Sequence, residues 1–385
     1  MTSARIPFNR ACLSGGELEN VAAALKRMHI SGDGDFTERC HRFLEREVGA
    51  QKALLTTSCT HALELAALLL HLEPGDEIVL PSFTFVSTAN AFVLRGARPV
   101  FADIRSDTLN LDEAALEAAI TPRTKAIVVV HYAGVACEMD AILALARKYD
   151  LRVIEDNAHG LFGTYRGRQL GTFGTMATQS FHETKNFTCG EGGALLLNDA
   201  SYIEEAEIIR EKGTNRKQYF RGAVDKYSWV SPGSSYLPSD LLAGFLLAQL
   251  ESRDRIQAQR RRVWERYDAG LREWAEARGV ARPFIPAHCE QPYHMYYLIM
   301  PSAEARNELL ESLRIKDINA VFHYVPLHNS KMGQLFGGAD GDCPVTERVS
   351  ERLVRLPFFN DLSEADQTRV IEAVQAAPLP ALATT

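Results

Sequence analysis

The chain has no apolar stretch long enough to cross a membrane. A span needs roughly 18 to 20 unbroken apolar residues, and the best candidate, Ala62–Leu72, is interrupted by Glu64 and His71. Met1–Arg10 carries no apolar signal core. Basic charge is in short supply: 42 Lys and Arg stand against 49 Asp and Glu, a net charge of −7. A chain with an isoelectric point near 5.9 is poorly suited to gripping a nucleic-acid backbone. No C-x-x-C occurs among the seven cysteines (Cys12, Cys40, Cys59, Cys137, Cys189, Cys289, Cys343), which are scattered and odd in number. That excludes a disulfide framework or a zinc ribbon and reads as free thiols in a reducing cytoplasm. There is no internal repeat, no low-complexity tract and no G-x-x-x-x-G-K-[ST] phosphate loop.

What is present is an ordinary globular composition: 385 residues, 46% apolar and 24% charged, enough for about two domains. From about residue 50, short apolar runs alternate with helical patterns. Ala53–Thr56, Glu77–Leu80, Arg98–Ala102, Ala126–Val130 and Leu151–Glu155 read as strands. Thr60–Leu72, Val86–Arg95, Asp112–Ala119 and Glu138–Lys148 read as the helices between them. Such alternation predicts an α/β fold with a mainly parallel sheet. Two more strand-like runs follow, Met176–Ser180 and Gly193–Asn198, and then one long helix over Ser239–Trp274. Beyond it, a strand at Tyr293–Met300, a helix at Ala303–Leu313 and a strand at Ala320–Tyr324 suggest a smaller α+β domain. The boundary is placed inside the long helix, giving a large domain over 1–250 and a small one over 251–385. The last residues, Pro378–Thr385, are expected to fray.

The strongest constellation is Glu155-Asp156-Asn157-Ala158-His159 followed by Ser180-Phe181-His182-Glu183-Thr184-Lys185. The apolar run before Asp156 delivers it to the carboxyl end of a strand, where open α/β sheets bind ligands. A second run delivers Ser180, and then Lys185, into a loop. A carboxylate and a lysine presented together suit pyridoxal phosphate: the lysine forms a Schiff base and the carboxylate stabilises the protonated ring nitrogen. The alternative is a loop-capping aspartate and a solvated lysine. Ser58-Cys59-Thr60, between a strand and a helix, fits an anion site at a helix N-terminus, or an ordinary cap. Phe85, just past a strand, could stack on a flat ring or belong to the core. Gly190-Glu191-Gly192-Gly193 reads as a turn into a strand, or as a place of close backbone approach. His323-Tyr324 and the basic loop Lys212–Arg221, with Arg216, are candidates for binding an anionic substrate, or a core histidine and a solvated face.

Taken together, P-S-F-T-F-V-S-T-A-N-A, E-D-N-A-H-G, S-F-H-E-T-K-N and E-G-G-A resemble the DegT-type sugar aminotransferases, fold type I pyridoxal-phosphate enzymes with the aspartate aminotransferase fold. The resemblance runs from Ile6-Pro7-Phe8 to about Leu356-Pro357. The longer strings S-G-D-G-D-F-T, V-H-Y-A-G-V-A-C-E-M-D, E-I-I-R-E-K-G-T-N-R and F-H-Y-V-P-L-H look most like one branch, the dTDP-4-amino-4,6-dideoxygalactose transaminases.

The resemblance implies that Lys185 is the Schiff-base lysine and Asp156 the partner of the ring nitrogen. It implies further that His159 lies near the phenolic oxygen, that Phe85 stacks on the ring, and that Cys59, Thr60 and Ser180 bind the phosphate, with Ser58 in the same turn. Relatives with G-x-N-Y-[RK] reach the neighbouring subunit's phosphate. Here the segment is Gly233-Ser234-Ser235-Tyr236-Leu237, so Ser235 stands where Asn is expected. The implied activity is transfer of an amino group, from L-glutamate, to C4 of a dTDP-4-keto-6-deoxyhexose in a cytoplasmic homodimer with shared active sites. Amination at C3 is the alternative within the family. The resembling sugar dehydratases carry His in place of the lysine, so Lys185 argues against dehydration. Retention of the acid and the lysine argues against a non-catalytic regulator.

Overall fold

The computed structural model describes residues 5–378; of the tail expected to fray, residues 379–385 lie outside the described residues. Two helices absent from the sequence reading come first, α1 (Glu17–Lys26) and α2 (Asp35–Val48). The alternation then runs β1 (Lys52–Thr56), α3 (Cys59–Leu69), β2 (Glu77–Pro81), α4 (Val86–Val93), β3 (Arg98–Ala102), β4 (Thr124–Val130), α5 (Met139–Lys148) and β5 (Arg152–Asp156). Two-residue strands β6 (Thr164–Tyr165) and β7 (Arg168–Gln169) precede β8 (Met176–Ser180) and β9 (Gly193–Leu197). Then come α6 (Ile203–Arg210), α7 (Arg216–Phe220), α8 (Asp240–Glu251) and α9 (Arg253–Ala277). The remainder is β10 (Cys289–Glu290), β11 (Tyr297–Ile299), α10 (Ala303–Ile315), α11 (Lys331–Leu335), α12 (Pro344–Arg352), β12 (Leu353–Arg355) and α13 (Glu364–Gln375).

The main sheet has seven strands in the order β1-β9-β8-β5-β4-β2-β3. The pairs from β3 through β2, β4 and β5 to β8 are parallel, and β9 runs antiparallel to both β8 and β1. Strands buried on both faces need apolar residues at successive positions, and Ala126–Val130 supplies them. Ala126 and Val128 pack into the core on one face of the sheet, with Leu54, Ile154 and the α3 side chains. Ile127 and Val129 pack on the other, with Met139 and Ile142 of α5.

Three expectations need correction. Asp112–Ala119 forms only a 3-10 turn over Leu116–Ala119. The helix expected over Ser239–Trp274 is two helices broken at Ser252. The reason is packing. α8 is apolar nearly all round and sits against α1 and α2. α9 buries a single stripe, Ile256, Arg260, Val263, Tyr267, Leu271 and Ala275, and most of it enters a different core. One straight helix cannot serve both surfaces.

The third correction is Ala320–Tyr324, which makes one bridge, Val321 to Arg355, instead of a strand. Tyr324 has φ of 39°, which a bulky side chain rarely adopts and which ends the extended run.

The C-terminal core gathers the α9 stripe, Tyr296, Leu298, Leu309, Val354 and Val370, and also Ile6 from the start of the chain. Ile6 is hydrogen-bonded there to Asp317 and Asn319. All seven cysteines are free. Among the described residues no helix is long and apolar enough to cross a membrane, and no cluster of His, Cys, Asp and Glu is set to hold a metal ion.

Candidate active site

Asp156 is the last residue of β5 and Ser180 the last of β8, so adjacent strands end side by side. The loop from β8 to β9 folds back on itself through Phe181 N to Gly192 O at 2.8 Å and Glu183 N to Gly190 O at 2.9 Å. Lys185 lies within that loop, its own N–H donating to His182 O at 2.9 Å. The antiparallel turn from β8 to β9 thus returns the lysine over the sheet edge that carries Asp156. Both line one cavity of about 440 Å³. Ser58, Cys59, Thr60, Phe85, His159, Ser180, His323 and Tyr324 line it too. Arg216 and Ser235 do not. Arg216 pairs with Glu211 at 3.1 Å, and Ser235 is exposed and bridged to Glu211.

Asp156 is buried, and burial raises its pKa. Two donors hold it: Thr88 Oγ1 at 2.8 Å and the N–H of Ala158 at 3.2 Å. Because Thr88 donates to the carboxylate, its oxygen accepts from Thr84 Oγ1 at 2.9 Å. Desolvation pulls Lys185 down to about 8, against the weaker opposite pull of Asp156.

On the other side, Ser58 caps α3, its Oγ accepting from His61 N at 3.1 Å. That leaves the first N–H groups of the helix facing the cavity, with the positive end of its dipole. Thr60 Oγ1 bonds Ser87 Oγ at 2.8 Å. Gly193 passes against this turn: a Cβ there would lie 2.4 Å from the carbonyl carbon of Ser58 and 2.5 Å from the nitrogen of Cys59. The close approach expected of the glycine segment is made to the helix turn, not to the lysine.

Rings stack along the far wall. His159 lies on His294, centroids 4.3 Å apart, and His323 on Tyr324 at 3.6 Å. Tyr132 Oη meets His323 Nδ1 at 2.7 Å, and Tyr324 Oη reaches His159 Nε2 at 3.5 Å. Burial and the nearby cations hold all three imidazoles uncharged. His159 Nδ1 is buried without a partner.

The comparisons with known proteins agree with this geometry. Residues 12–375 match the DegT/DnrJ/EryC1/StrS aminotransferase family. The chain belongs to that family. The spore coat polysaccharide biosynthesis protein SpsC of Bacillus subtilis is 34% identical over 378 residues, 96% of each chain. The solved aminotransferase TlmJ from Streptoalloteichus hindustanus superposes with a TM-score of 0.88 at 30% identity, over 97% of this chain and 98% of that one. The pyridoxal-phosphate form of the putative sugar aminotransferase Spr1654 from Streptococcus pneumoniae gives 0.89 at 27% identity, with 97% and 98% covered. The chain is accordingly a pyridoxal-phosphate-dependent sugar aminotransferase of the fold type I class.

The DegT-family site fits its cofactor on its own chemistry. It offers a half-buried amine, a buried carboxylate, an imidazole nitrogen without a partner, unpaired helix N–H groups, and Phe85, whose ring is 57% exposed over the cavity. The sequence reading missed Thr88, His294, Arg355 and Phe8, which also line the cavity. Thr88 and Phe8 lie within stretches that carry the family resemblance, without a role being read for them; His294 and Arg355 carried no local signal.

Proposed function

We propose that this enzyme transfers the amino group of L-glutamate to C4 of a dTDP-4-keto-6-deoxyhexose, giving a dTDP-4-amino-4,6-dideoxyhexose. The carrying observation is Lys185 and Asp156 on one cavity with Ser58, Cys59 and Thr60 at the N-terminus of α3. Lys185 would hold the cofactor through its amine, Asp156 would face the ring nitrogen, and His159 the phenolic oxygen. Phe85 would cover one ring face, and Ser58, Cys59, Thr60 and Ser180 would take the phosphate. Bound there, pyridoxal phosphate supplies an electron sink for breaking and remaking a C–H bond next to nitrogen.

The chain's own part is proton handling and exclusion of water. Lys185 Nζ, with a pKa near 8, is close to the working pH and suits a base that takes a proton and returns it one position away. Donor and acceptor use the same cavity in turn, so ping-pong kinetics are expected. His323 and Tyr324 are placed to meet the sugar.

We further propose a cytoplasmic homodimer and a division of the chain near residue 250. Phe85, Val86, Phe322, Val325 and Met332 form an apolar groove of about 710 Å³ opening beside the catalytic cavity. These residues are exposed in the single chain, and such contiguous apolar surface supports a partner. The exposed segment bearing Arg216 and Ser235 would then serve the neighbouring site. SpsC's role in spore coat polysaccharide supports a product destined for surface polysaccharide. The test is incubation with dTDP-4-keto-6-deoxyglucose and L-glutamate, with NMR of the product. Nitrogen at C4 is expected; nitrogen at C3, or none transferred, overturns the reading.

A further inference from the structure

His294 ties two parts of the catalytic cavity together. It precedes β11, is buried, and its ring lines the cavity. One face of that ring covers His159, with the two planes 19° apart. Its carbonyl oxygen accepts from Arg260 Nη2 at 2.5 Å. Its Nδ1 meets Asn186 Oδ1 at 2.8 Å. Asn186 is the residue after Lys185, and its Nδ2 donates to Pro292 O at 2.7 Å.

These bonds fix where the imidazole proton sits. The Pro292 carbonyl can only accept, so the amide nitrogen of Asn186 faces it and the amide oxygen faces His294. An amide oxygen needs a donor, so Nδ1 carries the proton. Burial first, and then the cations around it, keep the ring uncharged. A neutral imidazole has one donor and one acceptor, which makes Nε2 a bare acceptor. Among the described residues nothing donates to it. The Nδ1 edge is turned to Asn186, so Nε2 is the edge left for what the cavity holds.

We propose that Nε2 of His294 accepts a hydrogen bond from the hydroxyl next to the sugar's reacting carbonyl, and so helps to select the acceptor. A bare nitrogen in a desolvated site repels the oxygens of a carboxylate or phosphate and favours an O–H. The amino donor brings carboxylates and, once its nitrogen is committed to the cofactor, no neutral donor group. The sugar brings hydroxyls. Because His294 is tied to the residue after Lys185, the contact falls near the carbon that reacts. Beside C4, the oxygen on C5 closes the ring, so the neighbouring hydroxyl is the one on C3. The inference thus rests on the C4 reading above and adds to it a group that recognises the sugar.

The test compares dTDP-4-keto-6-deoxyglucose with its 3-deoxy analogue. While the cofactor carries no amino group the sugar cannot react, so calorimetry on the aldehyde form of the holoenzyme reads binding alone. The wild type should bind the analogue roughly 2- to 13-fold more weakly, the worth of one neutral hydrogen bond. His294→Phe keeps a ring over His159 but has no acceptor, and should bind the two sugars equally. His294→Asn keeps a donor for Asn186 but is too short to reach the cavity, and should do the same. In His294→Gln an amide oxygen can stand where Nε2 stood, so the ratio should fall between one and the wild-type value. General damage to the site weakens both sugars alike and leaves the ratio unmoved.

Wild-type binding that ignores the hydroxyl overturns the proposal. So does a wild-type ratio retained in His294→Phe or His294→Asn. If neither variant folds, His294→Gln decides, and a ratio equal to the wild type overturns the assignment. If the wild type binds neither sugar, the sugar-nucleotide reading falls and this one with it. Both sugars bound with equal affinity by the wild type removes only the role of His294.

Discussion

At the scale of the residue, the site gathers groups held away from their ordinary charge states. Lys185 is brought down to about 8 from 10.5 by burial. Between those values the unfolded chain binds the extra proton and the folded chain does not, so stability rises with pH across the window. Below pH 8 the shift destabilises the cofactor-free protein by roughly 3 kcal/mol. Cofactor-free Lys185→Met should therefore melt higher than the wild type at pH 7, with the gap closing as pH rises toward 10.5. A constant gap across that range contradicts the assigned shift.

Asp156 is the opposite case, a buried carboxylate kept in place by Thr88 and Ala158. Asp156→Asn should lower turnover by at least about 100-fold while leaving the melting temperature nearly unchanged, since an amide suits burial but cannot favour a protonated ring nitrogen. Steady-state kinetics with near-normal turnover would show that the carboxylate faces something else.

At the scale of the element, the sheet and the turn after β1 decide where the anion-binding helix points. Gly193→Ala would push a methyl group into the backbone of Ser58 and Cys59. Neither side is a flexible side chain, so the strand or the helix must move. The variant should lose more than about 2 kcal/mol in chemical denaturation, in the range of overpacked cores, and should shed cofactor faster on dialysis. Ser58→Ala removes only the cap and should lose about 1 kcal/mol.

The central parallel strands were legible in the sequence because strands covered on both faces are continuous apolar runs, as Ala126–Val130 within β4 is; the bounds Arg98–Ala102 and Met176–Ser180 also match residue for residue. The helices α1 and α2 were not. Their buried positions include Glu17, Thr37 and His41, polar residues that hydrogen-bond to Gln249, Asp240 and the Leu55 N–H. Glu17, for example, accepts from Gln249. The break at Ser252 was hidden because it reflects which core each half faces, not a local signal. Arg355 was hidden for a related reason: in Leu353-Val354-Arg355-Leu356 it looks like the solvent-facing member of an alternating strand, and only the fold shows that the face is a cavity wall.

At the scale of the whole molecule, the chain leaves a stretch of large side chains exposed between α7 and α8. Trp229 is 79% exposed and Tyr227 55%, and Ser235, six residues on, is exposed as well. Sedimentation should give twice the chain mass, and Ser235→Ala should weaken cofactor retention roughly tenfold or less, the worth of one neutral hydrogen bond. A fully active monomer would end the shared-site proposal. The cavity itself is lined from Phe8 to Arg355, nearly the whole length of the chain, while every strand of the main sheet lies between Lys52 and Leu197. This sets an order of events during synthesis. Domains fold as the chain emerges, amino end first. The sheet can be complete on the ribosome while His323, Tyr324 and Arg355 are still being made. A nascent chain stalled before residue 320 has the lysine, the carboxylate and the His159–His294 pair but lacks His323, Tyr324 and Arg355, so a complete cavity wall belongs to the finished protein.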